Sequence, residues 1–263
     1  MKKIIAALLL FSFSLCFFSC EGENAYEIYE KALESTSKMS YQKFDLSVKA
    51  TVFSGGEERE KSNKTLFKFI REDGNISFYC ERYISVTNET STVSAILYHH
   101  YQDGIMYQTF TTTKMKHELS PEAFDAKYLD LGDLMLKIPE SKLLGVEAEE
   151  NSDDGYTFSV TLFPEELEKS EQKKLSAILN AYCKERFDGD HAFVDQMTVK
   201  VNTTFDGYFD SYSLLFSAIG KIGGVDARQQ IEIDAKIINP DSHFVIGKLA
   251  GTSEYTEGSF EIE

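Results

Sequence analysis

Tryptophan is absent from this 263-residue chain, and histidine (5) and cysteine (4) are scarce. His99 and His100 are adjacent in an alternating segment, so their rings should point to opposite faces. His117, His191 and His243 stand in unrelated surroundings, so the spacing of a histidine metal site is missing. A glycine-rich nucleotide loop, a nucleophile elbow and a zinc-protease helix are missing too, which removes the usual sequence grounds for assigning an enzyme. Positive charge is in deficit, with 27 Lys and Arg against 43 Asp and Glu and a formal net charge of −16. Such a surface repels nucleic acid and anionic head groups, and its plainest effect is solubility. Carboxylates are plentiful, but none is singled out by an apolar setting that would raise its pKa. The run Glu147, Glu149, Glu150, Asp153 and Asp154 has its glycine out of register for a calcium loop and reads as a solvated hairpin. No metal and no cofactor is expected.

Long apolar runs are confined to the N-terminus, where Lys2 and Lys3 precede Ile4 to Phe18. Basic and then apolar is the layout of an export signal, and the run is short for a membrane-spanning helix, which needs about 20 apolar residues. It ends Phe17-Phe18-Ser19-Cys20, which resembles a bacterial lipobox: a small residue before a cysteine that is acylated on sulfur and becomes the mature N-terminus. Phe17 and Phe18 depart from the usual leucine and small residue. Cys20 is the expected lipidation site, and the plainer alternative is a secretory signal that ends near a cysteine. Residues 1–19 are then the signal peptide and 20–23 a short tether, leaving 24–238 as one β domain and 239–263 as a tail or edge strand. Losing Lys2 and Lys3 takes the net charge from −16 to −18.

Cys80 and Cys183 remain in the mature chain. Export permits a disulfide between them, and cysteine's habit of burial equally suits two free thiols. The Asn-x-Ser/Thr sequons at Asn63, Asn75, Asn88 and Asn202 read as the yield of an Asn- and Thr-rich β surface.

After the tether, Asn24 caps a helix whose Ala25, Ile28, Tyr29, Ala32 and Leu33 share one face. From Tyr41 the period changes to two: Phe44, Leu46, Val48, Ala50 and Val52 alternate with polar residues. Residues 55–61 read as a solvated turn. Asp73-Gly74, Asp103-Gly104 and Asp206-Gly207 each sit between strand-like runs, a strong antiparallel hairpin signal. Ser120-Pro121-Glu122 starts a helix to about Tyr128, and Leu129 to Ile138 is helix or packed loop. A further helix is expected from Pro164 to about Phe187. Strands are expected through Tyr156 to Leu162, through Met197 to Phe205 on one face, and through Val225 to Ile237.

The 20 Phe and 14 Tyr fall often on alternating strand positions. Aromatics favour strands and build cores. A strongly curved sheet that cannot close would instead leave an apolar pocket on its concave face. On alternation and aromatic density, its candidate lining is Phe158, Phe205, Tyr212, Leu214 and Phe216.

The lipobox, the helix Ala25-Tyr-Glu-Ile-Tyr-Glu-Lys-Ala-Leu-Glu-Ser, the Asp-Gly hairpins such as Tyr101-Gln-Asp-Gly-Ile-Met-Tyr107, and the mid-chain helical insertion together resemble the extracytoplasmic lipoproteins related to LolA and LppX, especially a mostly Gram-positive group of that kind. The resemblance covers about residues 24 to 238 and carries no catalytic motif. It implies an α+β fold: a strongly curved antiparallel sheet, a half-open barrel, with a few helices covering the concave face and room for acyl chains. The leading expectation is a non-catalytic binding protein for a lipid or acyl group, anchored to the extracytoplasmic face of the cell membrane. An envelope interaction or adhesion module with a solid core is the alternative, and a hydrolase working through surface carboxylates a distant third.

Overall fold

The computed structural model describes residues 24–259 apart from 73, 88–91, 126, 153, 184 and 241. The expected signal peptide, lipidation site Cys20 and tether lie outside the described residues.

Helix α1 (Ala25–Ser37) begins where the Asn24 side chain accepts the Glu27 N–H at 3.0 Å, which satisfies one of the free donors of a helix start. It buries Ala25, Ile28, Tyr29 and Ala32. The alternating segment that follows is β1 (Tyr41–Ser54). Next come β2 (Glu57–Glu72), β3 (Asn75–Thr87), β4 (Thr92–Gln102), β5 (Ile105–Phe110) and β6 (Thr113–Glu118) as a meander of hairpins. At the β4–β5 turn Asp103 and Gly104 take φ of 52° and 77°, the left-handed pair that a two-residue hairpin requires. The expected turn at 55–61 shrinks to Gly55 and Gly56. Glu57 to Lys61 are strand, because the register with β1 runs on to Ser54↔Glu57.

From β6 the chain crosses the inward face in three short helices, α2 (Pro121–Asp125), α3 (Leu131–Leu134) and α4 (Glu140–Leu143). Arg71 pins this crossing to β2, with Nη2 2.8 Å from Asp125 Oδ1 and Nε 3.1 Å from Asp130 Oδ2, while Asp130 also caps α3. Then follow β7 (Glu149–Glu150), β8 (Tyr156–Leu162), a 3₁₀ turn at Pro164–Glu166 and helix α5 (Lys169–Tyr182). That helix was expected to reach from Pro164 to about Phe187. The structure starts it five residues later and stops it at Cys183, whose extended backbone ends the helical run. Strands β9 (Ala192–Thr203), β10 (Phe209–Ile222) and β11 (Val225–Ile237) return to the centre, where β11 pairs with β1. In the tail, β12 (Thr256–Glu257) pairs in parallel with β6 and so covers an edge.

The result is one 12-stranded sheet in the order β12-β6-β5-β4-β3-β2-β1-β11-β10-β9-β8-β7. It is curved and unclosed, antiparallel apart from the β12–β6 pair, with five helices among the described residues. The α+β half-open barrel expected from the sequence is therefore the observed class. A sheet this wide twists and coils, and the helices seal the apolar face that its curvature turns inward.

Candidate functional site

The inward face has a sealed part and an open part. Phe158, Tyr212, Leu214 and Phe216 are all buried in the sealed part, where α1 packs on β10 and α4 on β8. Tyr29 on α1 donates to the Leu136 carbonyl at 2.6 Å, and the Leu136 N–H donates to the Tyr212 hydroxyl at 3.2 Å. Both phenols are held well above the ordinary tyrosine pKa, chiefly by burial. The Tyr29 ring packs on Phe158 at 6.1 Å and on Phe209 at 5.4 Å. Phe205 is a correction: β9 ends at Thr203, so this ring falls in the turn and is 75% exposed instead of facing inward.

Toward β1–β4 the core is a stack that the sequence reading did not single out. Phe44 lies 5.0 Å from Phe67, Phe69 4.7 Å from Phe78, Phe78 5.1 Å from Phe124, and Phe124 4.6 Å from Tyr101. The alternation of Phe67 and Phe69 with Phe44 across one register, Phe44↔Phe67, was the signal for it.

Beyond this stack the inward face turns polar. His99 is buried between Tyr128, whose hydroxyl is 2.9 Å from Nδ1, and the Gln108 amide nitrogen, 3.1 Å from Nε2. An amide nitrogen only donates, so Nε2 accepts and the ring proton sits on Nδ1, given to Tyr128. Burial, with smaller pushes from Arg82, Lys127 and His117, lowers the His99 pKa to about 3. Burial pushes the Cys80 thiol up to about 12, partly countered by Arg82, and burial likewise takes Cys183 to about 12. Both cysteines are free and buried, so the disulfide held open by the sequence is not formed.

Burial falls off across one row of the sheet. Phe67, Cys80, His99 and Gln108 are no more than 2% exposed. One position further along each strand's inward face stand Thr65, Arg82, Leu97 and Phe110, in register, and there Arg82 and Phe110 are partly exposed. The next inward positions, Asn63 and Ala95, are also partly open. Asn63 Oδ1 is itself buried and, among the described residues, has no hydrogen-bond partner. The inward face thus opens at the β2–β5 end, beside Tyr182, whose phenol is raised by burial and drawn back by Arg82.

On the outer face, a cleft of about 590 Å³ runs across β10, β11, β1, β2 and β3. Asp45, Ser47, Lys64, Tyr83, Asp234 and Lys236 are among its lining. His100 turns to this outer side, 3.0 Å from Gln102, opposite His99 as alternation requires. Among the described residues, no group of three His, Cys, Asp or Glu side chains is placed to hold a metal, and no helix is long and apolar enough to cross a membrane.

These features define a class: an extended, half-open antiparallel sheet lined by helices. Among solved structures the chain is similar to LprF from Mycobacterium bovis, at 12% identity over 86% of this chain and 97% of that one, with a TM-score of 0.45. It is also similar to a LolA superfamily protein from Nitrosomonas europaea, at 12% identity over 82% and 94% with a TM-score of 0.27. A DUF1329 family protein from Desulfovibrio piger matches at 11% identity over 83% and 95%, with a TM-score of 0.29. No protein-family model and no curated protein matches the sequence.

Proposed function

We propose that the protein is a lipid-anchored extracytoplasmic binding protein that holds a lipid or acyl group against the open part of its inward sheet face, without catalysis. The observation that carries this reading is the partial opening of the inward face at the β2–β5 end, where Phe110 and Ala95, with Arg82 and Asn63, are partly exposed while Thr65 and Leu97 between them stay buried. An open apolar surface next to a rigid core binds hydrocarbon at little cost in reorganisation. The packed rings of Phe67 and Phe78, on the same strands, form the wall behind this surface. The export signal and Cys20 supply the anchor, which multiple acyl chains make stable.

Native mass spectrometry of the gently purified wild-type protein tests it. A lipid-sized mass lost on denaturation, beyond the covalent anchor, is expected, and Ala95→Trp should abolish it. Protein that carries no such mass and rejects acyl probes refutes the reading.

The outer-face cleft favours a second reading, an envelope interaction module that meets a protein partner with polar strand faces. Cross-linking in intact cells separates the two: a reproducible partner lost in Tyr83→Ala, with no bound lipid, selects the second.

A further inference from the structure

The inward positions of β3 run Phe78, Cys80, Arg82, so a guanidinium follows two fully buried side chains on the same face. Its register neighbours Thr65 and Leu97 are 5% and 0% exposed. Arg59, Arg71 and Arg228 each hold a carboxylate. Arg82 makes no ion pair or hydrogen bond among the described residues, in a chain where acids outnumber bases 43 to 27. The groups that feel its charge are Cys80, His99, Tyr128 and Tyr182, all neutral at physiological pH. Arg82 and Lys127 both push the His99 pKa down. A partly buried cation without a counter-ion is unfavourable unless something supplies the anion.

We propose that Arg82 receives the anionic head group, carboxylate or phosphate, of the amphiphile bound on the open inward face. This rests on the acyl-ligand reading above. The planar guanidinium donates two parallel hydrogen bonds to either anion, a match that a lysine ammonium does not reproduce. Asn63 stands diagonally across from Arg82, one inward position beyond Thr65, and its Oδ1, without a partner among the described residues, accepts a hydroxyl carried next to the anion. The chain then extends past Phe110 and Ala95 toward the open end.

The test uses delipidated full-length protein and four probes: palmitate, palmitoyl lysophosphatidate, uncharged monopalmitoylglycerol and inorganic phosphate. Wild type is expected to bind one or both charged lipids about tenfold more tightly than the uncharged one, and the tighter of the two identifies the head. Arg82→Gln should lose that preference and keep its affinity for monopalmitoylglycerol, with Arg82→Lys in between. Because an uncompensated charge is removed, Arg82→Met should raise the Tm of the empty protein; a lowered Tm means that Arg82 is structural and overturns the proposal. Equal affinity for charged and uncharged lipids in wild type, or a preference that survives Arg82→Gln, also overturns it while leaving acyl binding intact. Failure to bind any lipid, or binding of inorganic phosphate as tight as that of the lysophosphatidate, sinks the acyl-ligand reading itself.

Discussion

Tyr29 and Leu136, 107 residues apart, are joined by a 2.6 Å hydrogen bond from the phenol to the backbone carbonyl. Tyr212 accepts from the N–H of the same Leu136, so both backbone groups of one buried residue depend on tyrosines from α1 and β10. An unpartnered buried backbone group costs about 1–3 kcal/mol. Tyr29→Phe and Tyr212→Phe should each lower unfolding free energy by roughly that amount in urea titrations. The double variant should fall short of the sum, because the two bonds secure one segment. Wild-type stability in both single variants contradicts the account.

The pH dependence follows from the buried imidazole. His99 is held near pKa 3 when folded and returns to about 6.5 when unfolded. Between those values the unfolded chain binds the extra proton, so stability is complete above about pH 6.5 and declines as pH falls toward 3. His100 and His117 are also lowered by burial and act in the same direction. Urea midpoints measured from pH 7 to pH 4 should fall, and His99→Gln should flatten the curve. An unchanged slope in that variant assigns the effect elsewhere.

Both core thiols should be silent in the native state. Burial places Cys80 and Cys183 near pKa 12, where almost no thiolate exists at neutral pH. Thiol reagent should label neither residue until denaturant is added, and then label both. A native disulfide would leave the denatured, unreduced chain unlabelled at these two positions.

Gly155 is packed too closely for a side chain. A Cβ there would stand 2.0 Å from the Thr203 carbonyl oxygen, a backbone atom in register with Phe209 of β10 that also accepts the Asn151 side-chain amide at 3.0 Å. Gly155→Ala should cost on the order of 1–3 kcal/mol, read as a lowered Tm, whereas alanine at the open Gly189 should be nearly neutral.

Anchoring is tested at Cys20. Cys20→Ser protein should leave the membrane fraction, and the wild-type mature chain should carry the mass of its acyl chains. Complete membrane partitioning of the variant rules the anchor out.

The amino-acid sequence by itself determined the local pieces: the Asn24 cap, the two-residue period of β1 and β11, the turn at Asp103-Gly104, and the opposed faces of His99 and His100. Each depends on contacts within a few residues, where propensity and alternation decide. Alternation also carried Phe205 one step too far, because only the register with β10 shows that β9 stops at Thr203. The tertiary structure alone decided which inward residues are sealed and which stand at the opening. Phe158 and Arg82 both occupy alternating strand positions, yet helices arriving from distant parts of the chain bury the first and leave the second partly exposed, with no ion pair among the described residues. Where a helix crosses a sheet is a long-range packing outcome, and no periodicity along a strand encodes it.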